Sequence, residues 1–569
     1  MRTEHVDAVV VGSGFGGSVA AYRLAEAGQR VVVLERGRGY PPGSFARTPS
    51  ELSRAFWDPG NGLHGLFDVW SFGGFDSIVS SGLGGGSLIY ANVLLRKDER
   101  WFVHEQPLPN GGYETWPVTR ADLDPHYDVV ERMLTPTPYP FGDAAYASTP
   151  KTRAMRRAAD RLGLDWQLPP LAVSFAPKPG APPAIGLPIV APSYGNLHGV
   201  PRRTCELSGE CDLGCNNGAK NTLDHTYLSA AKASGAQIRT LCEARTLRVR
   251  DGGGYVVEYI EHDPEHDPVR GGQRTDPDAL APRTITCDRL VLAAGTYGTT
   301  YLLLRNQRGL PGLSPALGTR FSGNGDLLTF LLPHEDQPRA FEASRGPVIT
   351  SAVRVGDAAD GAEGGAQGRG FYVEDGGYPG FVDWIVESAN APRTLSRTAV
   401  FLARWLVTLL RGWPNHRLGY EMSKLIGQGA LTAGSLPLLG MGRDVPDGVM
   451  RLRGDLLDVE WTTETSVAFF ERVRETMRVI ADELGARYVD NPMWFFRRII
   501  TVHPLGGAPI GRHPGEGVCD PYGEVFGLPG LYVADGAAMP GPVGANPSLT
   551  IAAMADRACS HMLEHQHNS

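Results

Sequence analysis

Residues 7–37 read DAVVVGSGFGGSVAAYRLAEAGQRVVVLERG, and this stretch decides the fold. The apolar run from Ala8 to Val11 is typical of a buried strand, and it leads into the turn GSGFGG. A helical pattern follows, and a second apolar run ends at Glu35. A G-x-G-x-x-G turn between strand and helix, with an acidic residue about 20 positions later, is the fingerprint of a dinucleotide-binding βαβ unit. We therefore predict an α/β fold that begins with such a unit.

Five positions of this unit are predicted to contact the cofactor. Gly12 makes the tight turn, Gly14 lets the backbone approach a pyrophosphate, and Gly17 lets helix and strand pack closely. Phe15 follows at the start of the helix, where unpaired N–H groups and the helix dipole favour phosphate. Glu35 is expected to accept hydrogen bonds from the adenosine ribose.

The motif alone does not separate FAD from NAD, but the rest of the chain does. An NAD enzyme usually completes its nucleotide domain in one contiguous block, whereas strand–turn–helix patterns return here at residues 289–305 and 527–563. The later stretch ends a short strand at Asp535 and starts a helix near Pro547. A nucleotide domain split across both ends of the chain is typical of large FAD enzymes, so we predict FAD.

Composition narrows the class of protein. A chain of 569 residues exceeds one ordinary core, so two or more domains are expected. An apolar content of 42% is that of a soluble globular protein, and a net charge of −8 disfavours nucleic-acid binding. The first strand starts near Val6, which leaves no room for an export signal, and no apolar run is long enough to span a bilayer. We therefore expect a cytoplasmic protein whose seven cysteines are reduced.

Several separated segments resemble one family. Together with the N-terminal fingerprint they are SSGLGGGSLIYANVLLR (80–96), GAKNTLDHTYLSAA (218–231), VLAAGTYGTT (291–300), HPLGG (503–507) and VADGAAMPGPVGANPSLTIAAMADR (533–557). In order and spacing they resemble the glucose–methanol–choline (GMC) oxidoreductases, and among these most closely the cholesterol oxidases. The resemblance runs over most of the chain.

The resemblance implies further cofactor contacts. A glycine-rich loop of this kind lies against the flavin, the segment around Asp535 holds the ribityl and phosphate portion, and the loop at Asn546 meets the pyrimidine end. The chain carries Tyr90-Ala91-Asn92 where close family members usually have Asn-Gly-Gly. The implied contacts are Gly84, Gly85, Gly86, Ser87, Asn92, Ala294, Gly295, Asp535, Gly536, Asn546 and Pro547.

The resemblance also implies the catalytic residues. His503 is fixed by the following Pro504 and two glycines, and it would lie over the flavin beside Asn546, within reach of a substrate hydroxyl. Glu374 falls on the active-site carboxylate of the cholesterol oxidases, where an apolar setting would raise its pKa. The expected reaction is oxidation of a secondary alcohol on a bulky apolar substrate, most plausibly a 3β-hydroxysterol or steroid. Electrons pass to FAD and then to O₂ or another acceptor.

Two alternatives remain open at this point. One is a GMC enzyme that acts on a sugar or a secondary-metabolite alcohol, although the apolar surroundings of Glu374 disfavour a sugar. The other is a flavin-bound isomerase or lipid carrier without redox turnover, which would have no need for both His503 and Asn546. The oligomeric state is not encoded in any pattern that we recognise.

The predicted organisation is a discontinuous Rossmann-like FAD domain plus a substrate domain with a β-sheet and helices. The FAD domain takes residues 1–40, 75–100, 201–330 and 488–569, and the substrate domain takes residues 41–74, 101–200 and 331–487. No metal is expected, because the spacing of Cys205, Cys211 and Cys215 fits no common zinc or iron–sulfur pattern. His262 and His266 are predicted to lie in a solvated hairpin loop. A compact apolar helix with spaced arginines is predicted over Arg393–Pro414. It could lie at a membrane interface or cover an apolar active site, or it could be an ordinary buried helix with polar residues at its ends.

Overall fold

The computed structural model describes residues 4–103, 106–108, 113–263, 276–334, 340–357, 368–378 and 434–566. The predicted Arg393–Pro414 helix and His266 lie outside these residues. The α-helices of the described part are Phe15–Glu26, Pro49–Leu52, Arg120–Leu134, Pro150–Leu162, Tyr227–Ala233, Gly295–Arg305, Val467–Glu483 and Ser548–Gln566.

A seven-stranded sheet forms the nucleotide-binding part of the molecule. From one edge to the other, its strands are Gln237–Arg239, Val31–Leu34, Glu4–Val11, Arg283–Leu292, Tyr255–Glu261 and Cys242–Val249, and Leu531–Val533 also pairs with Arg283–Leu292. The central strand Arg283–Leu292 changes partners along its length. Its first half pairs antiparallel with Tyr255–Glu261, and its last three residues pair parallel with Leu531–Val533. Five parallel strands, with the first strand of the chain among them, therefore have their carboxyl ends side by side. Ligands of open α/β sheets bind next to these ends.

Glycines close the first βαβ unit against this sheet. A Cβ added to Gly17 would lie 2.2 Å from the carbonyl oxygen of Gly12, and one on Gly16 would lie 1.3 Å from that of Ala534. The helix Phe15–Glu26 can therefore pack directly onto the turn before it and onto the end of the last strand. The predicted α/β fold with its Rossmann-like start is confirmed.

A six-stranded antiparallel sheet forms the second layer. Its order is Asp165–Gln167, Ala352–Val355, Phe371–Asp375, Leu436–Gly442, Leu327–Leu332 and Arg487–Asp490. Helices Pro150–Leu162 and Val467–Glu483 pack on it, and its core is apolar and aromatic. The sheet and helices predicted for the second domain are therefore present, and their role as a roof over the cofactor stays a prediction. The strand Leu327–Leu332 crosses the predicted domain boundary after residue 330, and the domain division as a whole stays a prediction.

Smaller sheets complete the described fold. A three-stranded sheet joins Ile499–Thr501, Phe75–Ser80 and Phe67–Ser71, and it carries the chain directly into His503. Two-stranded hairpins pair Trp57–Asp58 with Leu63–His64, Gln106–Pro107 with Tyr113–Glu114, Thr137–Pro138 with Pro170–Leu171, and Val449–Arg453 with Leu456–Glu460. Among the described residues, no helix is both long and apolar enough to cross a membrane.

Candidate active site

A cavity of about 1050 Å³ runs between the two main sheets. One end reaches the carboxyl edge of the nucleotide sheet at Gly12 and Glu35, and the other end reaches the antiparallel sheet at Pro437 and Leu439. Predicted site residues in its wall are Gly12, Gly14, Phe15, Glu35, Gly85, Gly86, Ala294, Gly295, His503, Asp535, Gly536, Asn546 and Pro547. Residues predicted from distant parts of the sequence therefore meet around one space.

The glycines of the N-terminal turn differ in their surroundings. Gly12 adopts a φ of 95°, and a Cβ there would lie 2.2 Å from the carbonyl oxygen of Ala293. A Cβ on Gly14 would have no atom within 4 Å, although Gly14 lines the cavity. Gly12 is therefore required by the fold, whereas Gly14 leaves free space at the N-terminus of a helix, which is a suitable place for a phosphate.

Glu35 stands at the end of the second strand and is held by the turn beside it. Its carboxylate accepts hydrogen bonds from the backbone N–H of Ser13 at 3.1 Å, the hydroxyl of Ser13 at 2.6 Å and the backbone N–H of Gly37 at 2.8 Å. Burial raises the pKa of Glu35, and these hydrogen bonds oppose the shift. The side chain is thus fixed in the cavity wall at the position predicted for the ribose contact.

The glycine-rich loop packs directly against the first turn. Gly84 and Gly85 have φ values of 111° and 52°, and a Cβ on Gly85 would lie 2.6 Å from the Cα of Gly14. The Ser87 hydroxyl donates to the Gly84 carbonyl at 2.7 Å, which fixes the loop from inside. A Cβ on Gly86 would meet no atom within 4 Å, and Gly86 lines the cavity. The loop thereby offers bare backbone to a flat ligand.

Asn92 follows this loop and has an unusual environment. Its φ is 71°, its side chain is fully buried, and neither side-chain polar atom has a hydrogen-bond partner among the described residues. The flanking Ala91 and Val93 line the cavity. Buried amides without partners are rare in native proteins, so this one marks a place where a ligand could complete the hydrogen bonding.

Asp535 organises the third loop of the cavity wall. Its carboxylate accepts hydrogen bonds from the backbone N–H of Gly295 at 2.9 Å, the hydroxyl of Thr299 at 2.5 Å and the backbone N–H of Ala537 at 2.8 Å. Burial raises the pKa of Asp535 to about 6, against the effect of these donors. Asp535 therefore ties the C-terminal strand to the helix that starts at Gly295.

His503 is oriented by a buried carboxylate. Its ring Nδ1 lies 2.8 Å from Oδ1 of Asp326, and its backbone N–H donates to Oδ2 of the same residue at 3.2 Å. The hydroxyl of Thr501 and the backbone N–H of Val502 also donate to Oδ2. Because a carboxylate only accepts, the proton of the neutral ring is on Nδ1, and Nε2 keeps a free lone pair.

Asn546 and Glu374 meet next to the antiparallel sheet, near the end of the cavity that Pro437 and Leu439 line. The Asn546 side-chain N–H donates to Oε2 of Glu374 at 3.4 Å, and Oε1 of Glu374 and Oδ1 of Asn546 are buried without a partner among the described residues. Glu374 lies in the strand Phe371–Asp375 and is fully buried. Burial raises its pKa to about 8, with a smaller contribution from Asp375 and an opposing one from Asn546. The predicted rise in this pKa is present in the structure.

Comparison with known proteins identifies the family. Residues 445–555 match the family described as GMC oxidoreductase, and residues 10–50 match the NAD(P)-binding Rossmann-like domain. A cholesterol oxidase of Mycobacterium tuberculosis is 32% identical over 567 aligned residues, covering 97% of this chain and 90% of that protein. The chain belongs to the GMC oxidoreductase family.

Two further similarities agree with this assignment. A cholesterol oxidase of Acinetobacter baumannii is 28% identical, with 98% of this chain and 96% of that protein covered. The solved structure of a formate oxidase of Aspergillus oryzae has a TM-score of 0.60 at 13% identity, covering 100% of this chain and 99% of that one, and it supports the fold alone. As a GMC oxidoreductase, the protein is an FAD enzyme that oxidises an alcohol, which confirms the predicted cofactor and enzyme class.

The cavity of this GMC oxidoreductase fits FAD. The open space at Gly14 and Gly86 would admit the pyrophosphate and the flat ring, and Glu35 lies where the ribose would end. The unpartnered oxygen of Asn546 and the unpartnered amide of Asn92 are buried polar groups that a ligand with N–H and C=O edges could satisfy.

Sequence reasoning missed two residues that position the GMC site. Asp326 orients His503, and Asn324 donates to the carbonyl of Ala545 at 3.0 Å while accepting from the N–H of Gly544 at 2.8 Å. Both lie in the turn SGNGD (322–326) before an apolar strand. Two polar residues of that kind, next to an apolar run, were the available signal.

The prediction that His262 lies in a solvated loop was wrong. His262 is buried, not solvated, because its ring packs against Trp57 and His64 and its Nε2 lies 2.7 Å from Glu243. Within the described ranges, no group of three or more His, Cys, Asp or Glu side chains could hold a metal ion. All seven cysteines are free thiols.

Proposed function

We propose that this GMC oxidoreductase oxidises the secondary hydroxyl of a bulky apolar substrate, a 3β-hydroxysterol or steroid, to the ketone. The observation that carries the proposal is that His503, which Asp326 orients, and Asn546, which donates to Glu374, lie in the wall of one cavity. Two relatives that align over nearly the whole chain are cholesterol oxidases.

The side chains divide the chemistry between them. Bound FAD supplies the hydride acceptor, and O₂ or another acceptor reoxidises it. Nε2 of His503 accepts the proton of the substrate hydroxyl, while Asp326 stabilises the positive ring that results. Asn546 lies in the same wall and holds the substrate oxygen or the cofactor edge in place.

Glu374 is proposed to act in a second step. Oxidation of a 3β-hydroxy-5-ene steroid gives a ketone whose C4 protons are acidified by both the carbonyl and the alkene. Once ionised, Glu374 would remove a proton from C4 and return it to C6, which conjugates the double bond. Its pKa of about 8 makes it a strong enough base for this transfer and lets it release the proton again.

The apolar wall favours a steroid over a sugar. Near Glu374, the cavity is lined by Leu328, Val348, Ile349, Pro437 and Leu439. A sugar would bury several hydroxyl groups against these side chains without hydrogen bonds, at a cost for each one. A carrier or a redox-silent isomerase would gain nothing from a histidine oriented by a buried carboxylate.

The proposed setting is the cytoplasm, with peripheral contact to a membrane during sterol uptake. Seven free thiols suit a reducing compartment. The segment expected to make the membrane contact, 393–414, lies outside the described residues.

Anaerobic reduction of the bound flavin tests the proposal. The purified protein should be yellow, release FAD on denaturation, and bleach when mixed with 3β-hydroxysteroids but not with sugars or short alcohols. Under air, a 3β-hydroxy-5-ene steroid should give the conjugated enone, and the Glu374→Gln variant should accumulate the unconjugated ketone at a near-normal rate of flavin reduction. Bleaching by sugars alone would contradict the substrate assignment, and an unchanged rate of enone formation in Glu374→Gln would remove Glu374 as the base.

A further inference from the structure

One carboxylate in the cavity wall has no part in the steps above. Asp212 lies in the loop between Cys211 and Cys215, and it lines the cavity together with Leu213. Its carboxylate makes no hydrogen bond and no ion pair with any residue that the structure describes. Burial raises its pKa to about 6, so the group is mainly ionised at neutral pH. Asp212 is part-exposed, and an apolar substrate bound in the cavity would remove the water around its carboxylate. An ionised carboxylate that loses its water is costly unless the substrate donates a hydrogen bond to it.

Two buried lysines fix the wall around Asp212. Nζ of Lys220 donates to the carbonyls of Cys211 and Tyr90, both at 2.8 Å, and to that of Leu88 at 3.0 Å. This lysine therefore ties the Asp212 loop to the glycine-rich loop. Tyr90 and Asp212 both line the cavity, so the two loops form neighbouring parts of its wall.

The second lysine, Lys151, holds two loops beside the strand that carries Glu374. Nζ of Lys151 donates to the carbonyls of Pro347 at 2.7 Å, Val348 at 2.5 Å and Gly376 at 3.2 Å. Val348 and Gly376 line the cavity just beyond the strand that carries Glu374. Cys211, the neighbour of Asp212 in the chain, packs in one hydrophobic cluster with Val348 and Ile349, so Asp212 lies near the end of the cavity that these residues line.

These lysines stabilise the charge of Asp212 without binding it. Each ammonium group has three N–H donors, and each already donates to three carbonyls, so no donor remains for Asp212. The two lysines are close enough to counter the charge of Asp212 but give it no hydrogen bond. The site therefore fits a neutral group that donates a hydrogen bond.

We propose that Asp212 accepts a hydrogen bond from a second hydroxyl group of the substrate, remote from the hydroxyl that is oxidised. The inference rests on the proposed function and narrows it to dihydroxylated apolar alcohols, such as a 3β-hydroxysteroid with another hydroxyl on its rings or side chain. A site that pairs a buried polar group with a substrate hydroxyl discriminates strongly against the analogue that lacks it. Asp212 is then a residue that determines specificity, distinct from His503 and Glu374.

Matched steroid pairs test the inference in the holoenzyme. The pairs share the 3β-hydroxyl and differ by a second hydroxyl, which is moved around the skeleton, and kcat/KM is taken from anaerobic flavin reduction. For at least one position the diol should be favoured by about tenfold or more, the scale of one hydrogen bond to a charged group. The Asp212→Leu variant should lose this preference through KM and oxidise the monohydroxysteroid within a few-fold of the parent rate.

Two further variants complete the design. Glu210→Leu removes a carboxylate of the same loop that pairs with Arg47 and does not line the cavity, so the diol preference should persist. Asp212→Asn keeps the shape with a weaker acceptor, so the preference should fall several-fold, and this variant decides the matter if Asp212→Leu does not fold.

The outcomes separate the two proposals. Monohydroxysteroid oxidation together with an unchanged diol preference in both Asp212 variants would overturn the inference and leave the proposed function standing. A parent enzyme that favours no diol at any position would do the same. If neither member of any pair reduces the flavin, the steroid assignment fails and the inference is refuted with it.

Discussion

Replacing Asp326 by asparagine tests how His503 is prepared for proton transfer. Oδ2 of Asp326 accepts from the hydroxyl of Thr501 and from the N–H groups of Val502 and His503, whereas Oδ1 accepts from the ring alone. An asparagine would keep its oxygen on the three donors and turn its NH₂ group towards Nδ1. The ring would then have to carry its proton on Nε2, where it can no longer accept one from the substrate.

The structure sets the size of the effect. The change removes one hydrogen bond to a fully buried carboxylate and the ionic stabilisation of the protonated ring. A hydrogen bond to a charged group contributes about 1.5–3 kcal/mol, which corresponds to a loss of roughly 10- to 150-fold in rate. We therefore expect Asp326→Asn to reduce its flavin at least about tenfold more slowly than the parent.

Stopped-flow bleaching of the flavin under anaerobic conditions measures this rate across pH. Thr501→Val is the matched control, because it removes a neutral hydroxyl that donates to Oδ2 and accepts from the His503 backbone N–H, and it leaves the Nδ1 contact intact. It should slow reduction by no more than a few-fold. FAD content and thermal stability should stay near those of the parent in both variants. A parent-like rate and pH profile in Asp326→Asn would refute the assignment of the tautomer.

Three more predictions follow from the site. Gly14→Val should fold but lose FAD, because a Cβ at this position meets no protein atom within 4 Å and Gly14 lines the cavity. Gly16→Ala should instead lose thermal stability, because its Cβ would lie 1.3 Å from the Ala534 carbonyl oxygen. FAD retention and melting temperature compare the two variants. His503→Ala should bind FAD and reduce it at least about a hundredfold more slowly in single-turnover experiments. The pKa of Glu374 is about 8 in the folded protein and 4.5 in the unfolded chain. Between these two pH values the folded state keeps the proton and the unfolded state loses it. The free energy of unfolding therefore falls as pH rises from about 4.5 to 8. Glu374→Gln should remove that loss, so its melting temperature should exceed that of the parent more at pH 8 than at pH 5.

Each of these predictions has a result that would contradict it. FAD retained by Gly14→Val would show that the phosphates lie elsewhere, and a stable Gly16→Ala would question the packing of the first helix. Near-normal reduction by His503→Ala would leave His503 a structural residue. A stability difference at Glu374 that does not change with pH would mean that the carboxyl is not held protonated.

The sequence pattern predicted the features that depend on residues close together in the chain. The turn GSGFGG indicates the strand and helix around it, because Gly17 packs on the carbonyl of Gly12 and Gly14 opens into the cavity. Gly12 and Gly16 instead make room for the distant carbonyls of Ala293 and Ala534. Glu374 could likewise be placed in a strand from its apolar neighbours. The functional residues that resemblance supplied, such as Asn546, follow from motifs that stand in the same order as in the family.

The rest depended on contacts that no local pattern encodes. Asp326 orients a histidine 177 positions further along the chain, and Asn324 anchors a loop 220 positions away. Asp212 looked unremarkable among three cysteines until the fold brought Lys151 and Lys220 beside it. The prediction for His262 was wrong because its neighbours in the sequence are polar, whereas the aromatic rings that cover it, Trp57 and His64, are distant in the sequence.

The order of the strands has a consequence for how the enzyme is made. The central strand of the nucleotide sheet pairs with Leu531–Val533, and the first helix packs on Ala534, so the cofactor site stays incomplete until residues 531–534 have left the ribosome. At about 5–20 residues per second, the N-terminal fingerprint waits roughly half a minute or longer for its partner. Flavin binding therefore has to wait until residues 531–534 have been made, and during that interval the nascent chain exposes the apolar edge of an incomplete sheet. Supply of the vitamin precursor and of chaperones during synthesis should then govern the yield of active protein as strongly as its final stability does.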